Sequence, residues 1–473
     1  MKKNFDVCII GSGPGGYVCA IRSAQLGLNV AIVEKSLVGG VCLNVGCIPS
    51  KAMITAAHFL HRAEHDAPDM GFKISKISLD FKKLHSWKNS VCDKMSKGVN
   101  QLLSGNNVTL IKGEASFVDS KNLNIQISKN EKLNITATNF VVATGSAPIE
   151  IPGFAIDEQN ILSSTGALDL KKLPKSLVVV GGGYIGLEIG SYLQKLGTKV
   201  SVLEAEGELL KSVVDKDCVK VLQRSLKKSG IDLHLNSFAK SFKKQGKDLN
   251  VSFVQEEKQK NIKAEKVLLT VGRKPRVNEM NLQKIGLELA DHGGLAVDSQ
   301  CRTNISNIFA IGDIAQPPLL AHKASYEGVI VAEVLAGKNS VYNPKVIPSV
   351  MFVSPEIASV GMSEAEALQN GYEIKVGSFP FAANGRAVSL METDGLVKIV
   401  SEKTTHVILG VHIVGPEASQ LISEASIAIE MGARLEDFTQ TIHPHPTLSE
   451  PIMEAAEASL GHAIHIIQKP LRK

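Results

Sequence analysis

Two cysteines with four residues between them stand in the stretch Gly39-Gly-Val-Cys42-Leu-Asn-Val-Gly-Cys47-Ile-Pro49-Ser-Lys51. Thiols this close could open and close a disulfide. Five steps of a regular helix would rise ~7.5 Å, more than the Cα separation a disulfide tolerates. A bridge therefore needs a distorted turn, which Gly46 and Pro49 are suited to provide. So small a ring constrains little chain and would stabilise it modestly. In a cytosolic protein such a bridge reads as redox-active rather than structural. The bland alternative is two unrelated buried thiols, and zinc would want a further Cys or His pair at ligand spacing. The other cysteines (Cys8, Cys19, Cys92, Cys218 and Cys301) sit singly, poor material for a secreted disulfide framework.

A second polar cluster lies far downstream: Thr441-Ile-His443-Pro444-His445-Pro446-Thr-Leu-Ser-Glu450. A proline after each histidine pushes both into extended conformation. The segment then reads as a stiff loop, with Glu450 entering a helix expected over Ile452–Ser459. A carboxylate beside a histidine orients the ring and stabilises the imidazolium, which suits a base that must hold a thiol proton. Three readings stand level on these residues alone: that base, a solvated loop, or a metal site made from His443 and His445.

The elements that would position these groups form a repeat. An apolar strand at Phe5–Ile10 runs into Gly11-Ser-Gly13-Pro-Gly-Gly16, a helical stretch, Gly27, and a strand Val30–Val33 ending at Glu34. Leu177–Val180 runs into Gly181-Gly-Gly183-Tyr-Ile-Gly186, a helical stretch, Gly197, and a strand Val200–Leu203 ending at Glu204. Every motif glycine and the acid recur at one offset of 170 residues. A lone GxGxxG is weak, but here each match has strand before, helix after and acid at the right distance. The glycines permit the tight turn, backbone approach to a pyrophosphate and helix–strand packing, and the helix N-terminus faces the phosphates. Two plain βαβ units would explain the helices and strands but not the two glutamates.

Two more strand ends, Phe140-Val-Val-Ala-Thr144-Gly145-Ser146 and Ile308-Phe-Ala-Ile311-Gly312-Asp313, place small or acidic residues where open α/β sheets bind ligands. Because the second repeat lies between them, the first domain is expected to be discontinuous. Beyond about residue 346 the pattern changes to helices at Ser363–Gln369 and Ala418–Met431 with strands at Leu396–Val400 and Val407–Val414, a separate α+β domain. The chain has 473 residues, too many for one core. Its net charge of +5 is spread over scattered lysines, which excludes the clustered basic stripe of a nucleic-acid binder. No apolar run reads as a membrane span. The chain enters an apolar strand almost at once, without a signal peptide's longer apolar stretch, so a cytosolic location is expected, or the mitochondrial matrix had a transit peptide been removed.

Taken together, GGVCLNVGCIPSK (39–51), GGGYIGLE (181–188), TNISNIFAIGD (303–313), LAHKA (320–324) and HPHPTLSE (443–450) resemble the pyridine nucleotide–disulfide oxidoreductases over essentially the whole chain. The resemblance implies an FAD domain (1–148), an NAD domain (149–271), a central domain completing the FAD site (272–346) and a dimerisation domain (347–473). It implies that Gly11, Gly13, Gly16 and Glu34 hold the adenosine half of FAD, with Thr144, Gly145 and Ser146 contributing, Asp313 at the ribityl and phosphate region, and Ala321 and His322 near the flavin. Ala115 stands where many relatives carry glycine, which touches only a minor backbone contact. Lys51 would sit against the flavin, paired with Glu188. Cys47 would be the flavin-facing sulfur and Cys42 the interchange sulfur. His445, partnered by Glu450, would act as base across the interface of an obligate homodimer, which decides among the three readings above for catalysis and against a metal. Gly181, Gly183, Gly186, Glu204, Gly272 and Arg273 would hold the nicotinamide cofactor. Glu204, followed by Glu206 and Glu208 and no arginine, repels a 2′-phosphate and selects NAD over NADP. In this family glutathione reductases usually take NADPH, and mercuric reductases usually carry a C-terminal cysteine pair, whereas this chain has no cysteine after Cys301. The implied reaction is oxidation of a dihydrolipoyl group with NAD⁺. The lipoyl domain and core of a 2-oxo-acid dehydrogenase complex would be the partners, with no nucleic acid or membrane involved.

Overall fold

The computed structural model describes residues 3–75, 77–211 and 213–468. The N-terminal part contains β1 (Lys3–Ile10), α1 (Pro14–Gln25), β2 (Val30–Glu34), α2 (Gly40–Val45), α3 (Cys47–His65), α4 (Phe81–Gly105), β3 (Thr109–Lys112), β4 (Glu114–Asp119), β5 (Asn122–Ser128) and β6 (Glu131–Val142). Val7, Ile9, Val30 and Ile32 are sealed on both sides, as strands of a helix-covered parallel sheet must be. Pro14 starts α1, where its missing N–H costs nothing. The strands lie in the order β3-β2-β1-β6-β5-β4.

A short β7 (Ser146–Pro148) leads to a second unit of β8 (Ile161–Leu162), α5 (Ser164–Leu168), β9 (Ser176–Val180), α6 (Tyr184–Lys195), β10 (Lys199–Leu203), α7 (Lys216–Lys228) and β11 (Asp232–His234). An antiparallel sheet of β12 (Ser237–Gln245), β13 (Asp248–Gln255) and β14 (Lys258–Ala264) follows, then β15 (Lys266–Leu269), which pairs with β9 in the order β11-β10-β9-β15-β8. The chain then returns. β16 (Arg273–Pro275) pairs antiparallel with β7, β17 (Ile308–Ala310) adds to β6 in the first sheet, and α8 (Ala321–Leu335) packs on α1.

The last part is an antiparallel sheet in the order β18 (Ser349–Met351), β19 (Glu356–Gly361), β22 (Ile408–Gly415), β21 (Leu396–Glu402), β20 (Ile374–Pro380). With it go α9 (Glu364–Gln369), α10 (Gly385–Leu390), α11 (Ala418–Met431), α12 (Leu435–Gln440) and α13 (Glu450–Leu460). Ser363, read as the first helical residue, instead caps α9 in a reciprocal capping box with Glu366. The final helix starts two residues earlier than expected, because Pro451 can sit in its first turn.

One apolar core joins Leu187, Leu222 and Leu226 of the second unit to Met351, Ile357 and Val414 of the last sheet and to Met53 and Ala57 of α3. The cysteine helix is therefore wedged between distant parts of the chain. Read as one piece, Gly40–His65 is long and apolar enough to cross a membrane by length and composition, a stretch the sequence reading passed over. It is broken at Gly46 and carries an ion-paired lysine.

Candidate active site

The glycine loops place two cavities by the same local code. Gly11 and Gly181 have φ of +100° and +104°, and a Cβ on either would collide with a carbonyl oxygen of the next strand's end, Ala143 or Thr270. Gly16 and Gly186 each pack against the first glycine's own carbonyl. A Cβ on Gly13 would meet nothing within 4 Å, and one on Gly183 only an atom at 4.0 Å. Both residues cap helices (α1 and α6) without a side-chain acceptor. Each second glycine thus opens onto space in front of bare helix N–H groups, a cradle for a pyrophosphate. The acids repeat the pattern. Glu34 accepts from Ser12 N (2.9 Å), Ser12 Oγ (2.7 Å) and Ser36 N (2.8 Å). Glu204 accepts from Gly182 N (2.6 Å) and Glu206 N (2.7 Å).

The first cavity, about 500 Å³, runs from Gly11, Gly13 and Glu34 past Ala115, Thr144, Gly145, Ser146 and Asp313 to Cys42, Cys47 and Lys51. Thr144 Oγ1 is buried there without a hydrogen-bond partner among the described residues, the mark of a polar atom that meets a ligand. Asp313 accepts from Ser146 Oγ (2.5 Å), and Arg273 donates to Ser146 Oγ and O (both 2.8 Å). These features fit FAD: an anion cradle, an apolar wall, and an acid–serine–arginine cluster. Ala321 lines the cavity. His322 does not; its Nε2 lies 2.9 Å from the Pro348 carbonyl oxygen.

The helix breaks at Gly46, between the cysteines, so that Cys42 sits in α2 and Cys47 opens α3. In the reduced pair, hydrogen bonding between the two sulfurs sets their acidities. That bond, helped by the Lys51 ammonium and opposed by partial loss of solvent and by the Glu188 carboxylate, brings Cys47, which is exposed to the open cavity, down to about 7. The same bond and burial push Cys42 up. Lys51 Nζ lies 3.1 and 2.9 Å from the two oxygens of Glu188, which is buried on α6. Phe352 closes the group. Its N–H donates to Glu188 Oε1 at 2.9 Å, and its ring centroid lies 4.3 Å from Lys51 Nζ.

The second cavity, about 1060 Å³, is lined by Gly181, Gly183, Glu204, Glu206, Gly272 and Arg273. Tyr184, Ile185, Arg273 and Leu319 line both cavities, so the two meet there. Burial, followed by the Glu188 carboxylate, raises the Tyr184 phenol to about 12. The sequence reading singled out none of Tyr184, Phe352 or Arg276, the last of which lines the first cavity and donates to the Ser146 carbonyl oxygen at 3.2 Å. Tyr184 stood inside the second glycine motif and could have been found; the other two carry no local signal.

His445 lines neither cavity. Its side chain is 78% exposed, and Nδ1 lies 2.8 Å from Glu450 Oε1. Glu450 is held below the usual carboxylate range against the effect of burial, by the Thr447 N–H and by His445. Prolines 444 and 446 keep the loop irregular up to α13. His443 faces elsewhere, toward Glu424 (2.8 Å), and that hydrogen bond raises its pKa. The chain therefore assembles the thiols, the lysine and both nucleotide cradles in one place, and leaves the His445–Glu450 pair apart from them, facing outward.

Residues 5–328 match the family described as pyridine nucleotide-disulphide oxidoreductase, and residues 347–456 match its dimerisation domain. The chain is 48% identical over 464 residues to the dihydrolipoyl dehydrogenase of Bacillus subtilis, covering 98% of both chains. It is 45% identical over 460 residues to that of Staphylococcus aureus, covering 97% of both. Among solved structures it resembles LpdA from Mycobacterium tuberculosis, with a TM-score of 0.88, 27% identity, and 95% of this chain and 98% of that one covered. It also resembles the Cu(II) complex of the flavoprotein disulfide reductase RclA from Escherichia coli, with a TM-score of 0.86, 26% identity, and 96% and 99% covered.

Proposed function

Because the chain belongs to the pyridine nucleotide-disulphide oxidoreductase family, we infer that it oxidises dihydrolipoamide to lipoamide with NAD⁺ through a redox-active cysteine pair and FAD. The observation that carries this is the placement of Cys47, with its lowered pKa, in the cavity of the first glycine motif beside the Lys51–Glu188 pair. FAD is proposed for the unit of residues 1–148 completed by 272–346, NAD for 149–271, and the subunit contact for 347–473. When bound, the flavin and the nicotinamide supply the two-electron relay that side chains lack.

The chain's own residues perform the thiol chemistry. A dihydrolipoyl thiol gives its proton to His445 of the partner subunit, held in orientation by Glu450. The thiolate attacks Cys42 Sγ, the Cys42–Cys47 bond breaks, and Cys47 leaves as a thiolate stabilised by Lys51. The second substrate thiol attacks the substrate sulfur of the mixed disulfide, passing its proton to His445 as His445 gives up the first. Cys42 departs and takes up the first proton, while the second stays on His445. The dithiol has lost two electrons and the cysteine pair has gained them. The outward exposure of His445 and the matched dimerisation domain support a base supplied across a homodimer. Glu204, backed by Glu206, supports NAD over NADP. The lipoyl group is expected to arrive on a partner, the lipoyl domain of a 2-oxo-acid dehydrogenase complex, in the cytoplasm.

The test is steady-state turnover of the purified holoenzyme with dihydrolipoamide and NAD⁺, beside glutathione disulfide and NADPH. Faster turnover of the second pair would overturn the assignment. Co-expressed Cys47→Ser and His445→Gln chains, purified as the heterodimer, should regain about half of normal activity, since one of two independent sites is intact. A dead heterodimer with normal flavin content would remove His445 from the partner's site.

A further inference from the structure

Resting on that reading, we propose that Phe352 is a positioning residue for the redox centre: its ring and its backbone N–H together hold the Lys51–Glu188 pair against the cysteine helix. Lys51 extends from α3 and Glu188 from α6, while Phe352 follows β18 at the start of the segment matched to the dimerisation domain. Three separate parts of the chain meet on one ammonium.

Each contact does different work. Glu188 supplies charge, with both oxygens within 3.1 Å of Lys51 Nζ. One carboxylate oxygen also accepts the Phe352 N–H at 2.9 Å, so the carboxylate cannot swing away without losing a bond. The ring supplies the other side: at 4.3 Å from its centroid the ammonium sits within cation–π range. An ammonium on a flexible stem rotates freely unless it is held. A carboxylate alone would draw Lys51 toward α6. The ring holds it at a defined height, where its charge is also felt by Cys47. Met351, one residue earlier, is 1% exposed in the core shared with Met53 of α3, which anchors Phe352 to the helix whose lysine it holds.

The consequence is electrochemical. Reducing the pair creates a thiolate at Cys47, and a well-placed Lys51 stabilises that product and not the disulfide. Weakening the ring contact should therefore leave the pair less reduced at a given ratio of dihydrolipoamide to lipoamide. A cation–π contact of ordinary strength corresponds to a shift of about threefold in that equilibrium.

The experiment equilibrates holoenzyme with dihydrolipoamide/lipoamide buffers at fixed pH, quenches in acid and counts alkylated cysteines by mass spectrometry. Phe352→Leu should move the midpoint ratio about threefold toward dihydrolipoamide, and Phe352→Tyr should restore the wild-type value. Site-specific trifluorophenylalanine at position 352 keeps the shape and drains the ring's negative face. It should reproduce the leucine shift even if the leucine variant folds poorly. An unchanged midpoint in the fluorinated protein, or a tyrosine variant shifted as far as leucine, overturns the proposal. Failure of the wild-type holoenzyme to turn over dihydrolipoamide would instead bring down the functional reading beneath it.

Discussion

The two glycine-rich units share a loop geometry residue for residue at an offset of 170, yet they enclose their cavities differently. In the first, Glu34 is 8% exposed and receives three hydrogen bonds, and segments from far along the chain (Asp313, Ala321, Ala324) close over the loop. In the second, Glu204 is only partly buried and receives two, and the neighbouring residues 205–207 are exposed. The cradle is local and can be copied. The enclosure is tertiary, and it holds the first acid more tightly than the second. Only the first unit is followed by a pair of cysteines, Cys42 and Cys47, which fits the proposed split between a redox centre and a docking place.

The sharpest way to break this comparison is Cys47→Ser. Dithiol turnover should fall to background, because a hydroxyl cannot form the disulfide, while FAD content and NADH-dependent reduction of an artificial electron acceptor persist. Retained dithiol turnover would make the pair structural. Next in size is the matched pair Gly11→Ala and Gly181→Ala. Each forces a side chain onto a left-handed backbone and into a carbonyl oxygen, a strain on the order of 2 kcal/mol. The first should lower flavin content measured by absorbance. The second should keep flavin and lose NAD⁺ affinity measured by fluorescence quenching. Identical losses in both variants would erase the proposed division of labour.

Glu204→Arg should shift the NADP/NAD ratio of kcat/KM by about tenfold, the equivalent of ~1.4 kcal/mol of binding discrimination, with the flavin unaffected. An unchanged ratio would show that Glu204 does not meet the ribose. The smallest effect expected is on pH. In the reduced protein the Cys47 pKa is lowered from 9.0 to about 7. A depressed acid contributes stability that is present above its ordinary pKa and is lost as pH falls through the lowered one. Reduced wild type should therefore gain thermal stability relative to Cys47→Ser as pH rises from about 7 to 9, with the 240 nm thiolate absorbance rising near 7. A flat difference across that window would count against a stabilised thiolate.

Much of the fold could be read from local pattern. The βαβ units, the helix Ala418–Met431, the glycine offset and the break required between the cysteines follow from spacing and backbone sterics, which act over a few residues. The break falls at Gly46, one of the two residues expected to provide it, while Pro49 is accommodated inside the first turn of α3. The pairing of Lys51 with Glu188 came from resemblance, since nothing in residues 51 or 188 points to a partner 137 positions away.

What the sequence determined by itself is chemical and local: a thiol pair that can bridge only across a broken helix, two pyrophosphate cradles each with an acid, and a histidine with a carboxylate held in a proline-stiffened loop. What only the tertiary structure decided is which of these meet. It placed the thiols in the first cavity and brought the second cradle to the same wall at Tyr184 and Arg273. It laid Phe352 over Lys51 and turned His322 away to Pro348. It also left His445 facing outward. The reason is physical. Turns, caps and helix breaks are governed by sterics between near neighbours, whereas a cation over a ring, or a histidine kept out of a cleft, follows from packing elements distant in sequence into one shared core.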